Sequence, residues 1–234
     1  PIDGRTLMTT DYTKTSLAPP IWVLAVAVSA ANVGISLLSP AIPQLRDDLM
    51  VTSDEAQLVL SAFLIMLGVG QLIAGSLSDR IGRRPVLVYG SLLFLLSGLG
   101  ALFSTSIEML VAMRIFQGLG AATCMAMGRV IISDSFQRAE AGRQMSTITM
   151  FQSVVPLLGF AFGGVMADLV GWRGSVGLMV VTAAIVFLGT SLLLAESRDP
   201  SIKPVQASRI IVVYGQLLVT PLFIANAMMA ATVT

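Results

Sequence analysis

The sequence predicts an all-α membrane protein: a six-helix bundle built from two inverted three-helix repeats, followed by the start of a seventh helix. Three observations carry this. Of the 234 residues, 55% are hydrophobic and only 12% charged, half the charged fraction of about 25% in soluble domains; mean hydropathy is +0.86. Uncharged stretches long enough to cross about 30 Å of hydrocarbon recur along the chain. One pattern of Gly, Asp and Arg occurs twice, at equivalent helix ends. A soluble fold is excluded.

The polar opening, Pro1 to Pro20, precedes an apolar run too long for a signal-peptide core and without a small-x-small cleavage site. Residue 21 therefore opens a true first span, Ile21–Leu45. The second span is Ala56–Ser78 and the third Pro85–Ile107. The fourth, Ile107–Ile132, is apolar apart from Glu108, Arg114 and Arg129. Gln144–Ala167 and Gly174–Ala195 complete the six. The runs lack the alternation of a lipid-facing barrel strand, so they are helices. The chain thus divides into a tail (1–20), a bundle (21–195), a linker (196–220) with an amphipathic stretch at Arg209–Val219, and an apolar segment (221–234). That last segment is too short to span and reads as the cut-off start of helix 7. The chain is accordingly expected to be the first half of something larger, whose second six-helix half is a partner.

Basic residues set the expected orientation. Arg5 and Lys14 lie in the tail; Arg80, Arg83 and Arg84 follow helix 2; Arg129, Arg138 and Arg143 follow helix 4; Arg198, Lys203 and Arg209 follow helix 6. All fall on one side. The other side holds Arg46 and Arg173, and Arg114 lies inside a span. Tail and linker are therefore expected to be cytoplasmic.

Composition excludes several chemistries. The chain has no histidine, which removes His acid–base catalysis, a Ser-His-Asp triad and His metal sites. A single cysteine, Cys124 in an apolar run, permits no internal disulfide and no thiolate zinc cluster. No enzyme activity, cofactor or metal is expected. A net charge of +1 gives no reason to invoke nucleic acid.

The repeated pattern is G-x4-G-x3-D-x2-G-x-R. It reads Gly70, Gly75, Asp79, Gly82, Arg84 around the end of helix 2, and Gly159, Gly164, Asp168, Gly171, Arg173 around the end of helix 5. Three helices separate the copies, and an odd number inverts the second in the membrane, as in inverted repeats of secondary transporters.

Three segments carry candidate functional residues. The loop after helix 2 holds Gly75, Asp79, Arg80, Gly82, Arg83, Arg84 and Pro85. Gly75 permits close helix approach, Gly82 a tight turn, and Pro85 suits the first position of helix 3. Asp79 can pair with any of the three arginines or face a helix N-terminus; a plain basic turn touching anionic headgroups is the alternative. Helix 4 carries Arg114, Gln117 and Gly118 on one face. Burying an arginine at membrane depth costs about 2.5–3.5 kcal/mol on the lenient insertion scale, so Arg114 must face the protein interior or a wet cavity. A purely structural tie to backbone carbonyls and a functional role are both open. In helix 5, Pro156 removes a backbone donor and kinks the helix, while Gly159, Gly163 and Gly164 offer a close-packing notch. An ordinary kinked, glycine-rich helix would look much the same.

The loop resembles the signature G-x-x-x-D-R-x-G-R-R/K of the major facilitator superfamily and matches its defining positions. Arg114 to Ala122, R-x-x-Q-G-x-G-A-A, is similar to the helix-4 motif of the drug:proton antiporter branch, as is the continuation Arg129 to Asp134. Helix 5 resembles the antiporter motif of that branch but has Val155 and Phe160 where glycine and proline are usual. Pro40-Ala-Ile-Pro43 is similar to the end of helix 1 in the multidrug-efflux branch, with Ser36 where many members carry an acid. Tyr214 to Leu218 and Pro221 look like the family's approach to helix 7.

The resemblance implies proton-coupled efflux of small lipophilic or cationic solutes by alternating access. Asp79 and its arginines would then form a gating loop, and Arg114, with Gln117 and Gly118, would act in proton coupling. Asn32, Ser36, Gln117 and Met125 are candidates to line a cavity. Expected partners are membrane lipid, a small-molecule substrate and protons. No span holds a mid-depth Asp or Glu, so the coupling carboxylate resides in the second half, coupling runs through Arg114 and its partners, or proton coupling is absent. The alternatives are a carrier for sugars, amino acids or other metabolites, or a non-transporting six-helix membrane protein.

Overall fold

A computed structural model describes residues 19–197. The tail up to residue 18, the linker from residue 198 with its expected amphipathic stretch, and the expected start of a seventh span (221–234) lie outside the described residues. Six spans among the described residues are helices long and apolar enough to cross a membrane. The first is interrupted: α1 (Ile21–Ser36), a 3-10 turn (Ser39–Ala41) and α2 (Ile42–Leu49) share it. The other five are α3 (Ser53–Ile81), α4 (Arg83–Leu102), α5 (Ile107–Ser135), α6 (Arg138–Val170) and α7 (Trp172–Leu193).

The interruption falls at Pro40 and Pro43, which cannot donate to the carbonyls four residues back. Helix ends elsewhere are set by polar caps that an uncharged-stretch reading leaves out. A capping box opens α3: Thr52 N donates to Glu55 Oε2 (2.8 Å), and Glu55 N to Thr52 Oγ1 (3.3 Å). Ser106 Oγ accepts from Met109 N (3.4 Å) at the start of α5, so α4 stops at Leu102 instead of running to Ile107.

α3, α5, α1 and α6 stand side by side in one layer, with α4 and α7 packed behind it. α1 and α5 occupy the middle; α3 flanks α5 and α6 flanks α1. The first span is the most enclosed, and α3 and α6 are the most open. Two apolar clusters fill the interior. One gathers Val28, Phe63, Phe94, Met127 and Ile131; the other gathers Leu45, Val59, Leu110, Trp172 and Met179.

The repeat expected from the sequence has a structural counterpart. Gly82 (φ +106°) and Gly171 (φ +80°) are the two positive-φ glycines among the described residues, and each is the single residue joining two successive long helices. That backbone region favours glycine, which lacks the Cβ that would clash there. Packing follows the same two-fold relation. A Cβ on Gly70 of α3 would strike Ala122 of α5, and one on Gly159 of α6 would strike Ser36 of α1.

Gly163 is pressed against main chain, since an added Cβ would run into the backbone carbonyl of Leu37. Gly177 of α7 has no neighbour within 4 Å of the same position. Gly163→Ala is expected to destabilise the full-length protein by about 2 kcal/mol or more. Gly177→Ala should be neutral, or stabilising by up to about 1 kcal/mol through helix propensity. Thermal unfolding in detergent measures both; equal melting temperatures would refute this packing.

Candidate functional site

At the bundle end that carries Gly82, the expected gating loop forms a compact cluster. Of the three arginines available to Asp79, Arg83 takes the partnership, with Nη1 2.5 Å from Asp79 Oδ1. Arg83 Nη1 also donates to Ser78 Oγ (2.8 Å), and Nε reaches Asp134 Oδ2 of α5 at 3.1 Å. Arg83 thereby ties the end of α3 to the end of α5. Glu196, just beyond α7, caps α4: its carboxylate accepts from Arg83 N (3.0 Å) and Arg84 N (3.3 Å). These are orphan amides at a helix N-terminus, where the dipole favours an anion. Arg84 Nη2 donates to the Ser191 carbonyl of α7 (2.8 Å). Arg80 is exposed. Gly75 has open space at its Cβ position, so the close approach expected there is absent among the described residues.

Arg114 lies completely buried, where the two apolar clusters meet. Its guanidinium donates to Gly34 O of α1 (Nη2, 2.7 Å), Val59 O of α3 (Nε, 3.2 Å) and Gln117 Oε1 (Nη1, 2.6 Å). It lies 4.1 Å above the Phe63 ring, a cation–π distance, and Met179 Sδ of α7 is 3.7 Å from Nη1. Gly34 is in the last turn of α1, where carbonyls lack amide partners and carry the negative end of the helix dipole. The Ile35 carbonyl beside it accepts from Ser39 Oγ (2.8 Å). Arg114 and Ser39 thus satisfy carbonyls that the end of α1 leaves without helical partners. Gly118 lets α5 approach α3, since a Cβ there would meet the Phe63 carbonyl.

A third cluster lies on the open side of the four-helix layer. Pro156 does not break α6, which runs unbroken through it; its effect is on the carbonyl four residues back. The Gln152 carbonyl, deprived of the amide that residue 156 would supply, accepts from Asn32 Nδ2 of α1 (3.0 Å). The Gln152 side chain spans both neighbours. Its Nε2 donates to Val28 O of α1 (3.3 Å), and its Oε1 accepts from Arg129 Nη2 of α5 (3.0 Å). Close by, Gln71 Nε2 of α3 lies 3.7 Å from Met125 Sδ of α5.

The opposite end mirrors the first cluster with different chemistry. Asp48 Oδ2 accepts from Trp172 Nε1 and Arg173 Nη1, each at 2.8 Å. Arg173 Nη2 donates to Ser104 O (3.0 Å), and its guanidinium lies 4.2 Å from the Trp172 ring centroid. Asp168, the counterpart of Asp79, accepts from Gln44 Nε2 at 3.4 Å.

Of the residues expected to line a cavity, Asn32 and Met125 are half-buried beside the open face. Ser36 and Gln117 are enclosed: Ser36 packs on Gly159, and Gln117 lies between Arg114 and Gly98. Gly164 makes ordinary contact with Pro40. Glu196 and Gln152 escaped sequence reasoning. A carboxylate just after a span, and a glutamine four residues before an intrahelical proline, were the signals available.

The Asn32–Gln152 bond yields a double-mutant test. Asn32→Ala leaves a half-buried carbonyl unpaired, at an expected cost of about 1 kcal/mol. Pro156→Ala restores the missing amide, so the double variant should lose at least about 0.5 kcal/mol less than the sum of the singles. Strict additivity in thermal unfolding of the full-length protein would refute the pairing.

Comparison with known proteins agrees with this architecture. The family model described as Major Facilitator Superfamily matches residues 24–234. The chain is 32% identical over 187 residues to the chloramphenicol resistance protein of Pseudomonas aeruginosa, covering 78% of this chain and 42% of that protein. It is also 32% identical over 187 residues to multidrug resistance protein D of Escherichia coli, covering 80% and 46%. Multidrug resistance protein MdtM of Salmonella typhimurium is 28% identical over 198 residues, covering 85% and 48%. The chain thus spans about half the length of these relatives. Among solved structures, the peptide transporter POT in complex with alafosfalin superposes with a TM-score of 0.69 at 15% identity, covering 89% of this chain and 46% of that one. The proton:xylose symporter XylE superposes with a TM-score of 0.62 at 18% identity, covering 76% and 44%. At these identities the two structures speak for the fold alone. The chain belongs to the major facilitator superfamily of multi-pass membrane transporters.

Proposed function

We propose that this chain forms the N-terminal half of a proton-coupled efflux transporter that expels small lipophilic or cationic solutes across the inner membrane by alternating access. The observation that carries this reading is the open face of the α3–α5–α1–α6 layer, backed by α4 and α7 and anchored at both ends by polar clusters. A second six-helix half set against that face would enclose a cavity at mid-depth. Resemblance to resistance proteins over most of the chain supports export, and the distribution of Lys and Arg supports a cytoplasmic N-terminus.

In this reading, the Asp79–Arg83–Asp134 cluster lies at the cytoplasmic end and stabilises one of two conformations, which substrate and protons bias. Arg114 couples α1, α3, α5 and α7 so that they move as one unit. The titrating carboxylate comes from the second half, because every described Asp and Glu lies at a helix end.

The test is export of chloramphenicol by the full-length protein in an efflux-deficient host, with and without a proton uncoupler. Uncoupling should abolish export, and Asp79→Asn and Arg114→Ala should each lower it at least about tenfold at equal membrane abundance, the loss of about 1.4 kcal/mol. Export that survives the uncoupler would remove protons from the mechanism. Parental export by both variants would refute the two residue roles.

A further inference from the structure

Arg129, counted above in the charge asymmetry, has no part in the gating or coupling clusters. It is exposed on α5, six residues before the helix ends at Ser135, roughly 9 Å along the axis. A guanidinium there could reach the interface on its own, but this one is turned toward the neighbouring helices. Its side chain lies on the open face, where Nη2 is held by Gln152 Oε1 at 3.0 Å. Gln152 is itself fixed twice to α1, through its carbonyl and its amide. Arg129 is therefore a positioned group, and most of its five N–H donors remain available on the open side. Gln71 and Met125 complete the surroundings, and no acidic side chain among the described residues pairs with Arg129.

We propose that Arg129, oriented by Gln152, is a substrate-recognition residue that selects solutes presenting a hydrogen-bond acceptor or a negative charge and disfavours permanent cations. The assignment rests on the efflux reading and narrows its substrate class. A guanidinium offers forked donors to nitro, carbonyl, carboxylate or phenolate oxygens. The same positive charge repels a cation that cannot shed its charge. The amides of Asn32 and Gln152 supply polarity without a compensating negative charge.

The experiment measures equilibrium binding to the purified full-length transporter of two probes: chloramphenicol, neutral and rich in acceptor oxygens, and tetraphenylphosphonium, a permanent cation. Arg129→Gln should weaken chloramphenicol binding at least about tenfold, or about 1.4 kcal/mol, and leave tetraphenylphosphonium unchanged or tighter. Arg129→Glu should reverse the preference. Gln152→Leu, which keeps the charge but frees the guanidinium, should weaken chloramphenicol several-fold. If Arg129→Gln does not fold, Arg129→Lys serves in its place: it should still exclude the cation while binding chloramphenicol more weakly. Equal losses for both probes would overturn the proposal and make Arg129 a tie to an acid on the second half; unchanged binding of both would overturn it as well. A parent protein that binds neither probe would refute the efflux reading itself. Binding without discrimination would refute only the role of Arg129.

Discussion

The arrangement depends on accommodating one buried cation that has no counter-ion among the described residues. Arg114 is enclosed entirely, and what surrounds its guanidinium is two backbone carbonyls, one amide oxygen, a thioether and the face of a phenyl ring. Such a set compensates a charge only if the helices bringing it together stay in register. The end of α1 contributes one of these acceptors, because the carbonyls of its last turn lack helical amide partners in an apolar interior.

Around this point the bundle is organised by a two-fold relation that also sets its ends. Gly82 and Gly171 turn the chain in the same unusual backbone region at opposite ends. The ionic partners differ. Arg83 is shared between the two carboxylates Asp79 and Asp134, whereas Asp48 is shared between the donors of Trp172 and Arg173. One end gathers two acids on one base; the other gathers a base and an indole on one acid. The framework is symmetric and the chemistry is not, so the two ends can be stabilised independently.

Much of this was legible in the sequence, and the limits have physical causes. Span number, the repeat and the burial of Arg114 follow from hydropathy and spacing, which are local properties. The loop partnership was narrowed to three arginines, but choosing Arg83 requires knowing that Asp134 ends α5 at the same level. The break in the first span was present as Pro40 and Pro43, yet an apolar run reads as one helix until its unpaired carbonyls are assigned. Asn32 was identified as a polar residue without its partner, because that partner is a backbone carbonyl on another helix. Sequence patterns report side chains; they do not report which main-chain groups a proline has released.

That released carbonyl at residue 152 has an evolutionary consequence. Every amino acid at position 152 carries the same main-chain oxygen, so the bond from Asn32 to α6 survives any replacement there for as long as Pro156 remains. The anchoring of the helix is thereby separated from the identity of the side chain that faces the open side. Position 152 can drift with changing chemical challenge while the frame around it stays assembled. A single imino acid one turn away thus gives the lineage room to retune recognition without first acquiring a compensating mutation.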